Sequence, residues 1–388
     1  MKIIYGYSNC SDKKYNELMK GKNIAILRPD QKYHGLLTKG LAENNAKVEC
    51  LSGLPINRQV TKKILISEQD EKEGNINYHY YTTLNIPILR HIMIFFGALT
   101  NCIKMKKTKD TYAICDCLNI ANAYGLAIAC KLKKIPIVTI VTDLPNMMFE
   151  NNVIRKISNN LFSLFDGYIL LTEQMNIRVN FKNKPYIVAE GHVDAETKLL
   201  SQNEKYEETG KKVIIYAGAV EKLYGIENLV NGFIIAGIKN SELRIFGNGD
   251  FGEKLKEISK ENSNIRYMGV CNNEDVVEQE QKAALLVNPR PSLPEYTKYS
   301  FPSKNMEYMV SGTPVLTTKL PGMPSEYLPY VYLIEDETSE GIAKALKEVF
   351  NDTFDEREKR GNAAREFVLK NKSNAVQTKK IIDFLEKI

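Results

Sequence analysis

The stretch Tyr299-Ser300-Phe301-Pro302-Ser303-Lys304-Asn305-Met306-Glu307-Tyr308-Met309-Val310-Ser311-Gly312-Thr313-Pro314-Val315 spells a short helix with a polar first turn. Ser300 or Ser303 can cap it, Pro302 suits its first turn, and Gly312 followed by Pro314 ends it. Met306, Met309 and Val310 recur at helical spacing and are expected to bury one face. The free N–H groups of the first turn and the positive end of the helix dipole make an anion site, and Lys304 adds a full charge beside them. Phosphate is the natural occupant. Glu307 follows three residues later on the same face, where a carboxylate can accept two hydrogen bonds from the vicinal hydroxyls of a ribose. A plain surface pair of lysine and glutamate has the same spacing, so the stretch alone leaves both accounts open.

At 388 residues the chain is too long for one comfortable core and suits two domains of ordinary size. With 43% hydrophobic and 26% charged residues it reads as globular, and no repeat or low-complexity tract interrupts it. Seven cysteines, an odd number, show no metal-type spacing beyond Cys115-Asp116-Cys117, too close for a CxxC site, and are expected as reduced core thiols. Met1-Lys2-Ile3-Ile4-Tyr5-Gly6-Tyr7 goes straight into a strand without the order of a signal peptide, which points to the cytoplasm. The net charge of +6 is uneven: residues 1–190 hold 26 Lys and Arg against 16 Asp and Glu. A basic first half suggests an anionic partner, a membrane surface, a diphosphate-linked substrate or nucleic acid, and of these nucleic acid is not expected once the resemblance given below is added.

The first half alternates strands at 2–7, 47–51, 112–115, 135–141 and 167–171 with helices at 33–44 and 122–132. The later runs are continuous and β-rich, as buried parallel strands should be, so an open α/β sheet is expected. Between them, 84–109 holds an apolar run from Ile86 to Leu99, then Lys104, Lys106, Lys107 and Lys109. The run is well short of the roughly 20 residues needed to span a bilayer. It suits a helix lying on a membrane with lysines against anionic headgroups, and equally a core helix with a basic exit loop. Asp143, in Ile140-Val141-Thr142-Asp143-Leu144-Pro145, sits just past the carboxyl end of a strand, where open α/β folds place ligands; a structural helix cap is the competing account. Gln31-Lys32-Tyr33-His34 is a second polar cluster at a helix start; Lys32 and His34 are acceptor-side candidates, with a lone surface histidine as the alternative.

The second half repeats the α/β logic from the strand at 213–217. Leu243-Arg244-Ile245-Phe246-Gly247-Asn248-Gly249-Asp250-Phe251-Gly252 spells the dinucleotide fingerprint, but the acid that should close the following strand is missing at Gly269. Arg290 follows the buried run 283–288, and its fork suits phosphate oxygens. Helices are expected at 341–350, 357–370 and 375–388.

The stretch 299–315 resembles the nucleotide-sugar loop and helix of family 4 glycosyltransferases, and the resemblance extends over most of the chain. It implies a GT-B architecture of two Rossmann-like, doubly wound parallel-sheet domains facing across a cleft. It places an acceptor-side domain at 1–193, a nucleotide-sugar domain at 194–370 and a helix at 371–388 that crosses back to the first. The first boundary follows Tyr186 to Asp194, which resembles the family's exit segment, and the polar stretch 197–212 suits an exposed connection. By the same resemblance Glu307 holds the ribose, and Ser300, Phe301, Pro302, Ser303 and Lys304 form the donor loop. Asp143 approaches the sugar and is, with Lys304 and Glu307, a catalytic candidate; Gly218 and Lys222 lie by the diphosphate, Gly247 and Gly249 allow close backbone approach to the nucleotide sugar, and Met268 runs along the base. Three departures stand out: Tyr299 replaces the family's first Glu, with Glu295 the nearest acid, while Ala219 and Tyr224 replace two basic residues, so Lys222 has to substitute.

The resulting expectation is anomer-retaining, metal-independent transfer of a hexosyl unit from a nucleotide sugar to a hydroxyl of a lipid-linked saccharide, as in building a surface polysaccharide at the inner membrane face. Lys304, Lys222, Arg290 and the helix dipole would stabilise the departing diphosphate without a cofactor. Domain closure is expected to precede transfer. The rivals are a sugar-nucleotide epimerase, for which the second half offers no histidine, a nucleotide-sugar sensor, and a nicotinamide oxidoreductase resting on Gly247 to Gly252 alone.

Overall fold

Runs such as Ile137–Val141 are buried at every position, as strands covered by helices on both faces must be. In the computed structural model residues 1–20, 29–58, 60–197, 200, 210–301 and 303–388 are described. The chain divides into two units, Met1–His192 with Asn374–Ile388, and Val193–Ser373. Of the stretch expected as an exposed connection, residues 198–199 and 201–209 lie outside the described residues.

Among the described residues unit 1 carries the strands β1 (Lys2–Gly6), β2 (Lys47–Ser52), β3 (Leu65–Ile66), β4 (Glu71–Glu73), β5 (Ile76–Tyr80), β6 (Thr83–Leu84), β7 (Thr111–Asp116), β8 (Ile137–Val141), β9 (Gly167–Leu170) and β10 (Tyr186–Val188). Eight form one sheet in the order β10-β9-β8-β7-β1-β2-β5-β4, parallel except for the β4–β5 pair. Helices α1 (Asp12–Met19), α2 (Pro29–Glu43), α3 (Pro87–Lys104), α4 (Ile120–Lys133), α5 (Pro145–Met148), α6 (Asn152–Leu161) and α7 (Gln174–Val179) connect them.

Unit 2 carries β11 (Lys212–Ala217), β12 (Ser241–Phe246), β13 (Ile265–Gly269), β14 (Leu285–Asn288), β15 (Val315–Thr318) and β16 (Tyr332–Ile334) in one parallel sheet ordered β13-β12-β11-β14-β15-β16. Its helices are α8 (Ile226–Ala236), α9 (Gly252–Glu261), α10 (Asn273–Gln281), α11 (Ser303–Ser311), α12 (Ser339–Asn351) and α13 (Phe354–Lys372). Both units are thus doubly wound sheets of the expected kind. The last helix, α14 (Asn374–Leu385), belongs to unit 1, where Asn374 Nδ2 donates to Glu43 at 3.0 Å and Asn44 Nδ2 to the Ala375 carbonyl at 2.8 Å.

The expected helix over the opening stretch is α11. Gly312 ends it at φ +77°, a left-handed conformation suited to glycine, and Met306, Met309 and Val310 are buried. Ser300 does not cap it: its hydroxyl is buried with no hydrogen-bond partner among the described residues.

Candidate active site

In a sheet of this order the chain leaves β11 and β14 in opposite directions, and the crevice past their carboxyl ends is where such folds receive ligands. Gly218 is the first residue past β11, and Pro289 and Arg290 follow β14. Three turns are packed together there, backbone on backbone. Gly247 has φ +122°, and a Cβ added to it would lie 1.8 Å from the Gly218 carbonyl oxygen. A Cβ on Gly249 would lie 2.3 Å from the Val220 carbonyl oxygen. Loop-on-loop packing therefore gives both glycines a structural reason of their own, beside the close approach to a ligand expected for them. Gly225, at φ +78°, brings the turn Lys222–Tyr224 against Pro289 in the same way, with 2.3 Å between an added Cβ and the Pro289 carbonyl oxygen.

That approach sandwiches Arg290. Its guanidinium lies 5.0 Å from the Tyr224 ring and 4.8 Å from the Tyr296 ring, a double cation–π clamp. Its Nε is buried with no hydrogen-bond partner among the described residues. Tyr224, where a basic residue was expected, thus holds one. Lys222 stands at the rim, 62% exposed, with Nζ 3.4 Å from Glu227.

Helix α11 is fixed beside this crevice by buried polar ties. Asn288 Nδ2 donates to Asn305 Oδ1 at 2.7 Å, and Thr317 Oγ1 donates to the same oxygen at 3.3 Å. On its first turn Lys304 and Glu307 meet at 2.8 Å, as their spacing predicts. A third member was not foreseen: Glu280 of α10, 2% exposed, lies 3.7 Å from the Lys304 ammonium. Burial works against the charge on Lys304, but Glu307 and Glu280 outweigh it and hold its pKa well above the ordinary lysine value. The ammonium also lies 5.8 Å from the centroid of the Tyr308 ring.

The rest of the expected donor loop divides. Ser303 begins α11 and is exposed, whereas the side chain of Phe301 is core, packed on Tyr327 at 5.0 Å between ring centroids. Pro302 lies outside the described residues. Met268, on β13, is 42% exposed. Glu295 is exposed and opens a short turn that Tyr299 closes.

In unit 1 Asp143 is exposed past the end of β8, and the N-cap position of α5 is Leu144, so Asp143 is no helix cap there. Lys32 is half-buried on α2. His34 is not the surface histidine that the sequence allowed: at 1% exposure it stacks on Tyr7, bonds Tyr5 through Nδ1 and faces Asp116 at 3.3 Å through Nε2. Asp116 closes β7, accepts the Leu118 amide at 2.7 Å and faces Thr142 at 3.3 Å. Sequence reading ended that strand one residue early and so missed an acid capping an apolar run, a signal that could have been used. Among the described residues no group of three or more His, Cys, Asp or Glu side chains could hold a metal ion.

Residues 199–367 match the sequence model of the family described as Glycosyl transferases group 1. No curated protein matches the chain by sequence. Among solved structures, sucrose-phosphate synthase from Thermosynechococcus elongatus has a TM-score of 0.71 at 13% identity, over 100% of this chain and 98% of that one. HepE from Anabaena in complex with UDP gives 0.67 at 13% identity over 100% of both chains. The lipopolysaccharide outer core galactosyltransferase WaaB, in its apo form, gives 0.64 at 13% identity over 100% of this chain and 99% of that one. The fold is therefore GT-B, residues 199–367 form a group 1 glycosyltransferase domain, and the expected enzyme class is borne out at that level.

Proposed function

We propose that this glycosyltransferase moves a sugar from a nucleotide-sugar donor, held in unit 2, to a hydroxyl of a lipid-linked saccharide. The observation that carries the donor half is the juxtaposition, within the group 1 domain, of the Lys304–Glu307 pair with the α11 N-terminus. A diphosphate past β11 and β14 would meet Arg290, Lys222 and the first-turn N–H groups, and Glu307 would take the ribose diol. As the bond to the anomeric carbon breaks, negative charge gathers on the departing diphosphate, and fixed cations stabilise that charge most. In this proposal those protein groups suffice without a metal, and the anomeric configuration is retained. HepE, one of the structural neighbours, is recorded with UDP-glucose, which makes a uridine donor the first to try. Asp143 is the catalytic candidate of unit 1 and Lys32 its acceptor-side one.

The acceptor half rests on the outer helices of unit 1. Along α3, Ile94, Ala98 and Cys102 are buried, while Ile88 is 75% exposed and Phe96 54%. On α6 Val153 is 66% exposed, and Tyr124 of α4 reaches the Ile157 carbonyl at 2.8 Å, so α4 lies between the two. Lys133 of α4 donates to the Ile103 carbonyl at 2.8 Å, and Lys104 at the end of α3 and Lys106, Lys107 and Lys109 beyond it are exposed. Exposed apolar helix faces rimmed by lysines fit an anionic membrane surface and its lipid-linked sugars. Among the described residues no helix is long and apolar enough to cross a membrane, so contact would be peripheral, at the cytoplasmic face in this proposal.

The test is thermal stabilisation by UDP, GDP, ADP, NAD and the matching nucleotide sugars, repeated with Glu307→Ala. A shift with one nucleoside diphosphate that Glu307→Ala removes supports the donor site; a shift with NAD alone, or with none, sinks it. Tyr299 and Ala219 favour one second reading, a nucleotide-sugar sensor, and acceptor-dependent release of the nucleoside diphosphate decides against it.

A further inference from the structure

Glu280 has no part in the transfer just proposed, yet it is an acid at 2% exposure, and burying a carboxylate is costly unless a cation or hydrogen bonds answer it. Its Oε1 lies 3.7 Å from Lys304 Nζ, a Coulomb contact outside hydrogen-bond reach, while Glu307 Oε2 lies 2.8 Å from the same nitrogen and is hydrogen-bonded. Both acids draw on the one ammonium, and their charges hold its pKa up against the effect of burial.

We infer that Glu280 is a positioning residue: it holds the Lys304 ammonium above the Tyr308 ring, and the ammonium in turn fixes the Glu307 carboxylate for the ribose diol of the donor. This rests on the donor site proposed above and changes the role of Lys304, from a phosphate ligand to the link between two acids. Tyr308 makes the arrangement rigid. It is fully buried, and its hydroxyl is bonded to the end of β11. Without Glu280 the flexible lysine stem has other rotamers, and the ammonium no longer holds Glu307 in one place.

The experiment compares the affinity of the full chain for UDP, GDP and ADP with that for their 2′-deoxy counterparts, by calorimetry, in the wild type, Glu307→Ala, Glu280→Gln and Lys304→Met. Base and phosphates are shared within each pair, so the ratio of the two dissociation constants reports the grip on the ribose alone. The wild type is expected to prefer the ribonucleotide by roughly tenfold, the worth of one hydrogen bond to a charged group. Glu307→Ala should bring the ratio near one, and Glu280→Gln and Lys304→Met should bring it below about threefold, the low end for one hydrogen bond. A Glu280→Gln protein that weakens both ligands equally and keeps the ratio overturns the inference. If that variant does not fold, Lys304→Met decides, since an equal loss for both ligands would make Lys304 a phosphate ligand. A wild type that binds without discriminating overturns the ribose role of Glu307 and this inference with it, whereas one that binds none of the six refutes the donor site itself.

Discussion

The phenol oxygen of Tyr308 lies 2.8 Å from the amide nitrogen of Ala217 and 3.2 Å from its carbonyl oxygen, so one hydroxyl serves both backbone groups at the end of β11. It ties the helix that carries Lys304 and Glu307 to the strand that opens the crevice. Tyr308→Phe keeps the ring but strands buried backbone groups, at a cost of about 1–3 kcal/mol. A lower urea midpoint for unit 2, followed by tryptophan-free probes such as circular dichroism, is the expected outcome; an unchanged midpoint would mean that water replaces the hydroxyl.

Two glycines should respond oppositely to alanine. Gly247→Ala puts a methyl group 1.8 Å from a carbonyl oxygen at φ +122°, and backbone strain alone costs roughly 1–3 kcal/mol. Gly35, inside α2, has nothing within 4 Å of its added Cβ, and Gly35→Ala should stabilise by about 0.5–1 kcal/mol. Thermal midpoints moving down and up respectively are expected; a fall in both would show that α2 needs its glycine for another reason.

His192 gives unit 1 an acid-sensitive element. Burial, with smaller effects of His34 and Lys32, lowers its pKa to about 4, against the Tyr33 carbonyl that faces Nε2 at 2.8 Å. Above the unfolded value of 6.5 neither state carries the proton, so stability is full there. As pH falls from 6.5 toward 4 the unfolded chain takes up a proton that the folded chain refuses, and up to about 3 kcal/mol is lost. His192→Asn should flatten the pH dependence of stability in that window. An unaltered slope would assign the acid sensitivity to carboxylates instead.

Membrane contact is testable on vesicles. Replacing Lys104, Lys106 and Lys107 by Glu should reduce sedimentation with anionic liposomes by an order of magnitude or more, since each lysine near such a surface is worth about 1 kcal/mol. Phe96→Ser should weaken it at high salt as well, where the charges are screened. Equal sedimentation of all three proteins would argue for the other account of α3, a helix of the fold with a basic exit loop.

Much of this was legible before folding. The strands β1, β2, β7, β8, β9, β11 and β14 and the helices α2, α3, α4, α11, α12, α13 and α14 were each expected near their observed ends, because burial on both faces demands continuous apolar runs and one-sided burial demands helical spacing. The pairing of Lys304 with Glu307 followed from a spacing of three. Such features are local, and the chain order states them directly.

What the tertiary structure alone decided is who else stands at those places. Glu280 reaches Lys304 from another helix, Tyr224 and Tyr296 close on Arg290 from two turns, and Asp116 meets His34 across the sheet edge. Gly247 packs against the Gly218 carbonyl. Those contacts are set by strand order and by how closely loops can pack, neither of which has a period in the sequence. The sequence by itself determined the longer elements and the local ion pair, and through its resemblance pointed to the GT-B class. In unit 2 the acids beside Lys304 and the rings around Arg290, and in unit 1 the burial of His34, exist only once each sheet has assembled, because burial and proximity, not residue type, set what a charge can do.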